Sequence, residues 1–353
     1  MESWFSQGLI IWYKKNKRDL PWRNETDPYK IWLSEIILQQ TQVVQGTSYY
    51  LKFTSKYPKI SNLAAASEDE VLKLWQGLGY YSRARNLHAT AKRLQTEHKS
   101  VFPSSYEEIK ALRGIGDYTA AAISSFAYNL PHAVVDGNVY RVLSRIFGIE
   151  TPIDSGQGKK KFQTLATELL CAKNPALHNQ AIMEFGSRFC KPNNPNCENC
   201  IFNSKCFAFK NNQVNNFPVK AKKTKISNRF LNYLVLIDKN KNIYLNKRAK
   251  NDIWKGLYEF YLIESKAELS TNQLLKEIKQ HKIIDSKFDL FHSSKNYKHV
   301  LSHQHLFAKF YVIKTNNLFA KSQTKTKLNH LNDFAFARLT EKFLNDCDLK
   351  EIV

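Results

Sequence analysis

The chain has 353 residues, with 53 Lys and Arg against 31 Asp and Glu and a formal net charge of +22. A hydrophobic fraction of 43% with 13% aromatics excludes a disordered chain, and no apolar run approaches the roughly 20 residues of a membrane helix. At about 150 residues per domain the length suggests two domains, and the positive surplus points to a polyanion, nucleic acid before an anionic membrane surface, through counterion release and long-range steering.

The N-terminal segment MESWFSQGLIIWYKKNKR lacks a basic leader and a small-residue cleavage site, so a soluble, intracellular protein is expected. From Ser3 to about Phe209, apolar residues recur at three- and four-residue spacings between short turns, the pattern of an all-α domain. A polar stretch over 211–227, with Pro218 and four lysines between Lys220 and Lys225, has no apolar face and reads as a linker. Beyond it LNYLVLI, NIYLNKR and HLFAKFYVI look like strands, with helical candidates near 273–282 and 328–344, so the second half is α+β. Residues 228–353 carry 22 basic and 13 acidic side chains, a net of +9, which leaves +13 for the first half. Both halves are basic, as a ligand gripped by both would require.

Four patterns carry chemistry. In LRGIGDYTAAAI, Gly114 and Gly116 fall in a tight turn between two helical segments. The backbone amides of such a helix-hairpin-helix turn bind phosphate without reading sequence, whereas an ordinary glycine cap would bind nothing. Cys190, Cys197, Cys200 and Cys206 are spaced C-x6-C-x2-C-x5-C within a polar loop. Four thiolates suit zinc or an iron-sulfur cluster, and spacing does not separate the two. In KIWLSEIILQQTQVV, Glu35 shares a helical face with Ile31, Trp32, Leu38, Gln39 and Gln42. Desolvation there would raise its pKa towards that of a general acid, although a lone helical Glu is more often a solvated charge. Asp136, after the apolar run HAVV and before a helix, reads as an N-cap, a role compatible with chemistry.

Taken together, LPWR at 20–23, WLSEIILQQTQV at 32–43, QGLGYYSRARNL at 76–87, LRGIGDYTAAAI, VVDGNVYRV at 134–142 and the four-cysteine loop resemble the MutY-type adenine DNA glycosylases of the helix-hairpin-helix superfamily. The related endonuclease III enzymes carry a lysine where this chain has Tyr118 and lack a second domain of this length. The resemblance implies an all-α helix-hairpin-helix glycosylase domain over 1–210 with an iron-sulfur loop at 190–206, then the linker over 211–227 and an α+β Nudix-like domain over 228–353. It implies a monofunctional enzyme of base-excision repair that flips out adenine mispaired with 8-oxoguanine, or with guanine, and hydrolyses its glycosidic bond. Glu35 would donate a proton to the base and Asp136 would stabilise the oxocarbenium-like sugar, with Tyr118 and Asn138 as supporting polar groups. Gln42 and Tyr80 would fill the gap in the stack, and Trp22, Arg23 and Gln180 would line the adenine pocket.

One 4Fe-4S cluster would sit on the four cysteines. The implied partner is double-stranded DNA, the implied state a monomer, and the implied location the cytoplasm, on the nucleoid of a bacterium. WKGLYEFYLIE at 254–264 and HVLSHQHLF at 299–307 resemble the Nudix-like lesion reader of these enzymes, with Ser302 and His303 as reading residues and Leu301 where the family has Phe. No carboxylate series of the REUXEE type follows Glu259, so Mg²⁺-dependent pyrophosphatase chemistry is not expected. The competing readings are an endonuclease III-like glycosylase/lyase and a non-catalytic iron-sulfur DNA-binding protein.

Overall fold

The computed structural model describes residues 3–221, 226–249, 251–280, 282, 284, 288–315 and 324–349, so residues 222–225 of the expected linker lie outside the described residues. Contacts divide the chain into two compact units, residues 1–65 with 86–223, and residues 66–85 with 224–353. The segment 66–85 thus packs with the C-terminal unit although it lies within the first 210 residues. Residues 211–221 pack with the helical unit: Phe217 is 4% exposed within its core and Val219 accepts a backbone hydrogen bond from Ile153. A connector that carries Phe217 has apolar area to bury, which its polar neighbours mask in the sequence.

The first unit is helical. Its elements are α1 (Trp4–Asn16), α2 (Pro28–Leu38), α3 (Val43–Lys56) and α4 (Ile60–Ala65). After α5 (Glu68–Trp75) of the other unit come α6 (Ser82–Glu97), α7 (Tyr106–Lys110), α8 (Asp117–Tyr128), α9 (Gly137–Phe147), α10 (Gly156–Leu169), α11 (Pro175–Arg188) and α12 (Phe207–Lys210). Helix α2 starts where Asp27 accepts the Tyr29 amide and Pro28 fills the first turn. Every residue from Ile31 to Ile37 is buried, the signature of a helix surrounded by others rather than amphipathic on a surface. Helix α9 is capped by Asp136, whose carboxylate accepts the Val139 amide, and ends at Gly148 with φ of 65°, a left-handed cap that glycine adopts without penalty. Phe5, Leu9, Trp12, Val139, Leu143, Phe162, Phe185 and Phe202 form the core that joins α1, α9, α10 and α11.

The second unit is built on a mixed sheet of β1 (Ser227–Ile237), β2 (Asn242–Lys247), β3 (Tyr258–Glu259), β4 (Tyr261–Ser265), β5 (Phe288–Ser293), β6 (Tyr297–Val300), β7 (Gln304–Thr315) and β8 (Thr324–Lys327). The order is β3-β2-β1-β7-β5, with β4 also on β1, β6 on β7 and β8 on β2, and only β1 and β7 run parallel among these pairs. Strand β1 is buried from Leu231 to Ile237 because both faces are covered. Leu234, Leu236, Tyr311 and Ile313 pack with Leu274 and Ile278 of α13 (Thr271–Gln280). Tyr233, Val235, Phe310 and Val312 pack with Phe343 of α14 (Arg338–Asp346), whose ring stacks on Phe310 at 4.1 Å. The three strands read from the sequence are present as β1, β2 and β7, whereas β6 and β8, four residues each, are too short to carry a period-2 signal.

Helices α9 and α11 meet tightly at Gly186, where a Cβ would lie 2.7 Å from Asn138 Cβ and 3.0 Å from its carbonyl oxygen. Gly186→Ala is therefore expected to cost about 1–3 kcal/mol through overpacking and to displace Asn138. Urea unfolding read beside base-release rate checks it, and an unchanged midpoint would mean the two helices have slack.

Candidate active site and nucleic-acid interface

Because α2 is buried all round, Glu35 has no route to solvent along its own helix and is only 6% exposed. The Tyr118 hydroxyl donates to Glu35 Oε2 at 2.8 Å. Burial pushes the Glu35 carboxyl up to about 7, against the Tyr118 hydrogen bond and the Arg23 charge, and the nearby Asp136 adds to the rise. Burial and the two carboxylates hold the Tyr118 phenol far above its usual range, so it stays a donor.

Asp136 caps α9 through the Val139 amide at 2.8 Å and accepts from Asn138 Nδ2 at 2.7 Å. Its pKa is raised: burial outweighs the Val139 amide, the Asn138 contacts and the Arg141 charge. The cap therefore does not hold this carboxyl below the ordinary Asp range, as a solvent-facing cap would, because the same turn that places it at the helix end also removes it from water.

Glu35, Asp136, Tyr118 and Asn138 line one cavity of about 470 Å³ together with Trp22, Arg23, Gln42 and Gln180. Eight side chains singled out in the sequence thus meet at one place. Trp22 is buried edge-on against Tyr50, and Tyr13 donates to Gln180 Oε1 at 2.7 Å. Two residues the sequence reading missed complete the floor: Glu184, fully buried, pairs with Arg18 at 2.7 Å and with Arg23 at 2.6 Å. Glu184 lies one turn beyond Gln180 on α11, a spacing that a helical projection of the pocket residue would have flagged.

Also missed was Arg141, whose guanidinium donates to Asn138 Oδ1 at 2.8 Å, to the Gly186 carbonyl at 2.7 Å and to the Cys190 carbonyl at 2.8 Å. A continuous hydrogen-bonded chain therefore runs from the Asp136 carboxylate through Asn138 and Arg141 to the first cysteine of the loop. All four cysteines line one small cavity with Phe185, Phe189 and Arg145. Arg145 is 2% exposed, lies 3.5 Å from Cys190 Sγ and donates to the Lys191 and Pro192 carbonyls. Among the described residues no three His, Cys, Asp or Glu side chains form a group that could hold a metal ion.

The turn before α8 places Gly114 at φ of 81°, where a Cβ would also collide with the Asn86 side chain at 2.7 Å. Gly116 is exposed and begins α8 with open space around it, so its amide end is accessible to an anion. Gly116 also lines a second, wider cavity of about 1010 Å³ with Lys159, Lys160, Glu35 and Asp136. Glu35 and Asp136 thus line both the pocket of about 470 Å³ and the wider groove edged by the hairpin and two lysines.

In the second unit, Tyr80 is 51% exposed and Ser302 and His303 are exposed at the β6–β7 turn, where Ser302 Oγ lies 3.3 Å from His303 Nδ1. Leu301 is half-buried against the sheet core. The carboxylates of the Nudix-like region are occupied internally: Arg229 binds Asp252 and Glu264, and Arg248 binds Asp252 and Glu259.

A helical unit with a glycine hairpin, and with a buried Glu35 and a half-buried Asp136 lining one pocket, is the architecture of a helix-hairpin-helix DNA glycosylase. Residues 33–169 match the HhH-GPD superfamily of base excision DNA repair proteins, and residues 232–346 match the NUDIX domain. An adenine DNA glycosylase of Buchnera aphidicola subsp. Baizongia pistaciae is 35% identical over 86% of this chain and 84% of its own. The adenine DNA glycosylase of Mus musculus is 41% identical over 58% of this chain and 42% of its own. Among solved structures, a thermostable thymine-DNA glycosylase covers 59% of this chain and 95% of its own with a TM-score of 0.55 at 28% identity. A trapped endonuclease III–DNA intermediate, 18% identical with a TM-score of 0.53 over 59% of this chain and 95% of its own, shares the fold. The chain belongs to the adenine DNA glycosylase family and is an enzyme of base-excision repair. No helix among the described residues is long and apolar enough to cross a membrane.

The raised Glu35 pKa has a thermodynamic consequence. A carboxyl whose value rises from 4.5 unfolded to about 7 folded binds its proton more tightly in the native state. Its contribution is complete below the unfolded value and is lost as pH rises through the folded one. Glu35→Gln, which keeps an acceptor for Tyr118, is expected to leave stability unchanged near pH 4.5 and to raise it by about 2–3 kcal/mol at pH 8. Denaturant midpoints of the two proteins at both pH values check this, and a pH-independent difference would contradict the shift.

Proposed function

We propose that this enzyme excises adenine opposite 8-oxoguanine, and opposite guanine, by a monofunctional hydrolysis in which Glu35 is the general acid and Asp136 the stabilising carboxylate. The observation that carries the reading is the meeting of a buried Glu35, its pKa raised by desolvation, and a capped Asp136 in one pocket lined by Trp22, Arg23 and Gln180. Adenine departs poorly as an anion. Glu35 gives its proton to N7, the C1′–N9 bond breaks with its electron pair going to the purine, and Asp136 faces the oxocarbenium-like sugar. Water then adds to C1′ and returns a proton to Glu35. Tyr118 orients Glu35 and Asn138 orients Asp136 through the hydrogen bonds described above. A phenol forms no Schiff base, so the product is an intact abasic strand.

Cys190, Cys197, Cys200 and Cys206 would hold a 4Fe-4S cluster. The four side chains line one small cavity, and the Arg145 guanidinium against Cys190 Sγ suits an anionic thiolate-bound group there. The cluster supplies a redox-capable, negatively charged centre, while this chain's own Arg145 and Arg141 fix the loop that surrounds it. Gln42 and Tyr80, both exposed, would occupy the space left by the flipped base, and Gly114 and Gly116 would hold the strand by its phosphates. Residues 228–353 would read the opposite base through Ser302 and His303. The working form is a monomer on duplex DNA in the cytoplasm.

Glu35→Gln and Asp136→Asn are each expected to lower single-turnover adenine release by at least about 10²-fold while duplex binding persists. In the wild type the rate should fall as pH rises through about 7, where Glu35 loses its proton. Near wild-type rates in either variant would end the assignment.

Ser302→Ala with His303→Ala is expected to lower the preference for 8-oxoguanine over guanine by about 1–3 kcal/mol without abolishing excision. Rates on the two mispairs, measured for both proteins, decide it. An unchanged ratio would remove the β6–β7 turn from lesion reading.

A further inference from the structure

The loop Gln76–Tyr81 between α5 and α6 carries Tyr80 at φ of 47°, in the left-handed region, flanked by Gly77 at φ of 97° and Gly79 at φ of 76°. A tyrosine in that conformation, half exposed, persists only where its surroundings hold it. Three contacts do so. The Trp75 indole, itself fully buried, donates Nε1–H to the Gly79 carbonyl at 3.0 Å. The Arg83 guanidinium donates to the same carbonyl at 3.2 Å. Its carbon lies 5.0 Å from the Trp75 ring centroid and 5.7 Å from that of Tyr80, so one planar cation contacts both rings. The Arg83 amide also bonds the Tyr80 carbonyl at 2.9 Å.

We propose that Arg83 is a positioning residue for base extrusion: its guanidinium, seated on Trp75, fixes the backbone and ring of Tyr80 so that the tyrosine enters the base stack pre-organised. This rests on the reading of Tyr80 as the side chain that fills the vacated stack. Burial pulls the Arg83 pKa down to about 10 while the charge is kept, as for a cation placed inside the loop rather than offered to solvent. Arg83 Nη2 donates to the Leu78 and Gly79 carbonyls at 3.5 and 3.2 Å, so this part of the guanidinium is turned to the loop rather than to a phosphate. A lysine would not replace it, since an ammonium has no plane to stack and a different donor geometry.

The test uses full-length protein in the Glu35→Gln background, which blocks excision, with a duplex carrying 2-aminopurine at the target position opposite guanine. Fluorescence of the probe rises when it leaves the stack. Arg83→Met and Arg83→Lys are each expected to lower the unstacking amplitude at saturating protein at least threefold, with the salt dependence of duplex binding unchanged. Tyr80→Ala should lower it at least as far, and adding Arg83→Met to Tyr80→Ala should lower it no further. Thermal unfolding of each variant is followed beside it, and the lysine variant serves if the methionine variant fails to fold.

An Arg83 effect equally large with or without Tyr80 would overturn the proposal, as would full amplitude in Arg83→Lys. So would a salt slope reduced by about one with amplitude intact, the mark of a phosphate contact. Full amplitude in Tyr80→Ala would instead sink the reading of Tyr80 itself. Loss in Tyr80→Ala with none in either Arg83 variant would sink only the role given to Arg83.

Discussion

Asp136 performs two duties with one carboxylate. It accepts the amide of Val139 and so starts α9, and the same geometry turns its second oxygen to Asn138 and into the pocket beside Glu35. The position of α9 fixes Arg141 one turn further along, and Arg141 fixes Gly186 of α11 and the Cys190 carbonyl. Formation of α9 and placement of the Asp136 carboxylate in the pocket are thus coupled. A cap is worth about 1 kcal/mol in an ordinary helix, but here its loss would release the helix, the close α9–α11 contact and the base of the cysteine loop together.

The two carboxyls differ by solvation and partners rather than by residue type. Glu35 comes from the middle of a helix buried on every side, and one phenol hydroxyl is its hydrogen-bond donor among the contacts described. Asp136 comes from a helix end, where an amide, a side-chain amide and a nearby guanidinium all favour its anion. Both values rise by burial, a rise opposed at Asp136 by the Val139 amide, the Asn138 contacts and the Arg141 charge, and at Glu35 by the Tyr118 hydroxyl and the Arg23 charge.

Motifs made of consecutive residues were legible because their chemistry is local. The Gly114 turn and the Asp136 cap are set by spacing along the chain, and the structure places them as that spacing implies, while the four cysteines line one small cavity without forming a metal-holding group among the described residues. What could not be read was charge meeting charge across the fold. Glu184 looks like any acidic residue of a helix until α11 lies beside Arg18 and Arg23, and Arg141 looks like part of a basic surface until its guanidinium is found under the pocket. The boundary of the units was hidden for the same reason: residues 66–85 have helical periodicity like their neighbours, and only three-dimensional packing allots them to the C-terminal unit.

The loop that carries Tyr80 is fastened within the C-terminal unit by Tyr81, whose hydroxyl bonds the Phe336 carbonyl at 3.4 Å, by Lys73 on the Phe334 carbonyl at 3.0 Å, and by Gln76, which pairs with Glu341. The same unit presents Ser302 and His303. Asp252, Glu259 and Glu264 of that unit are paired with Arg229 and Arg248. If Tyr80 and the β6–β7 turn act on DNA as proposed, both act from one compact unit, and groups borne on one scaffold meet two partners in one base pair with less ordering cost than groups on separate ones.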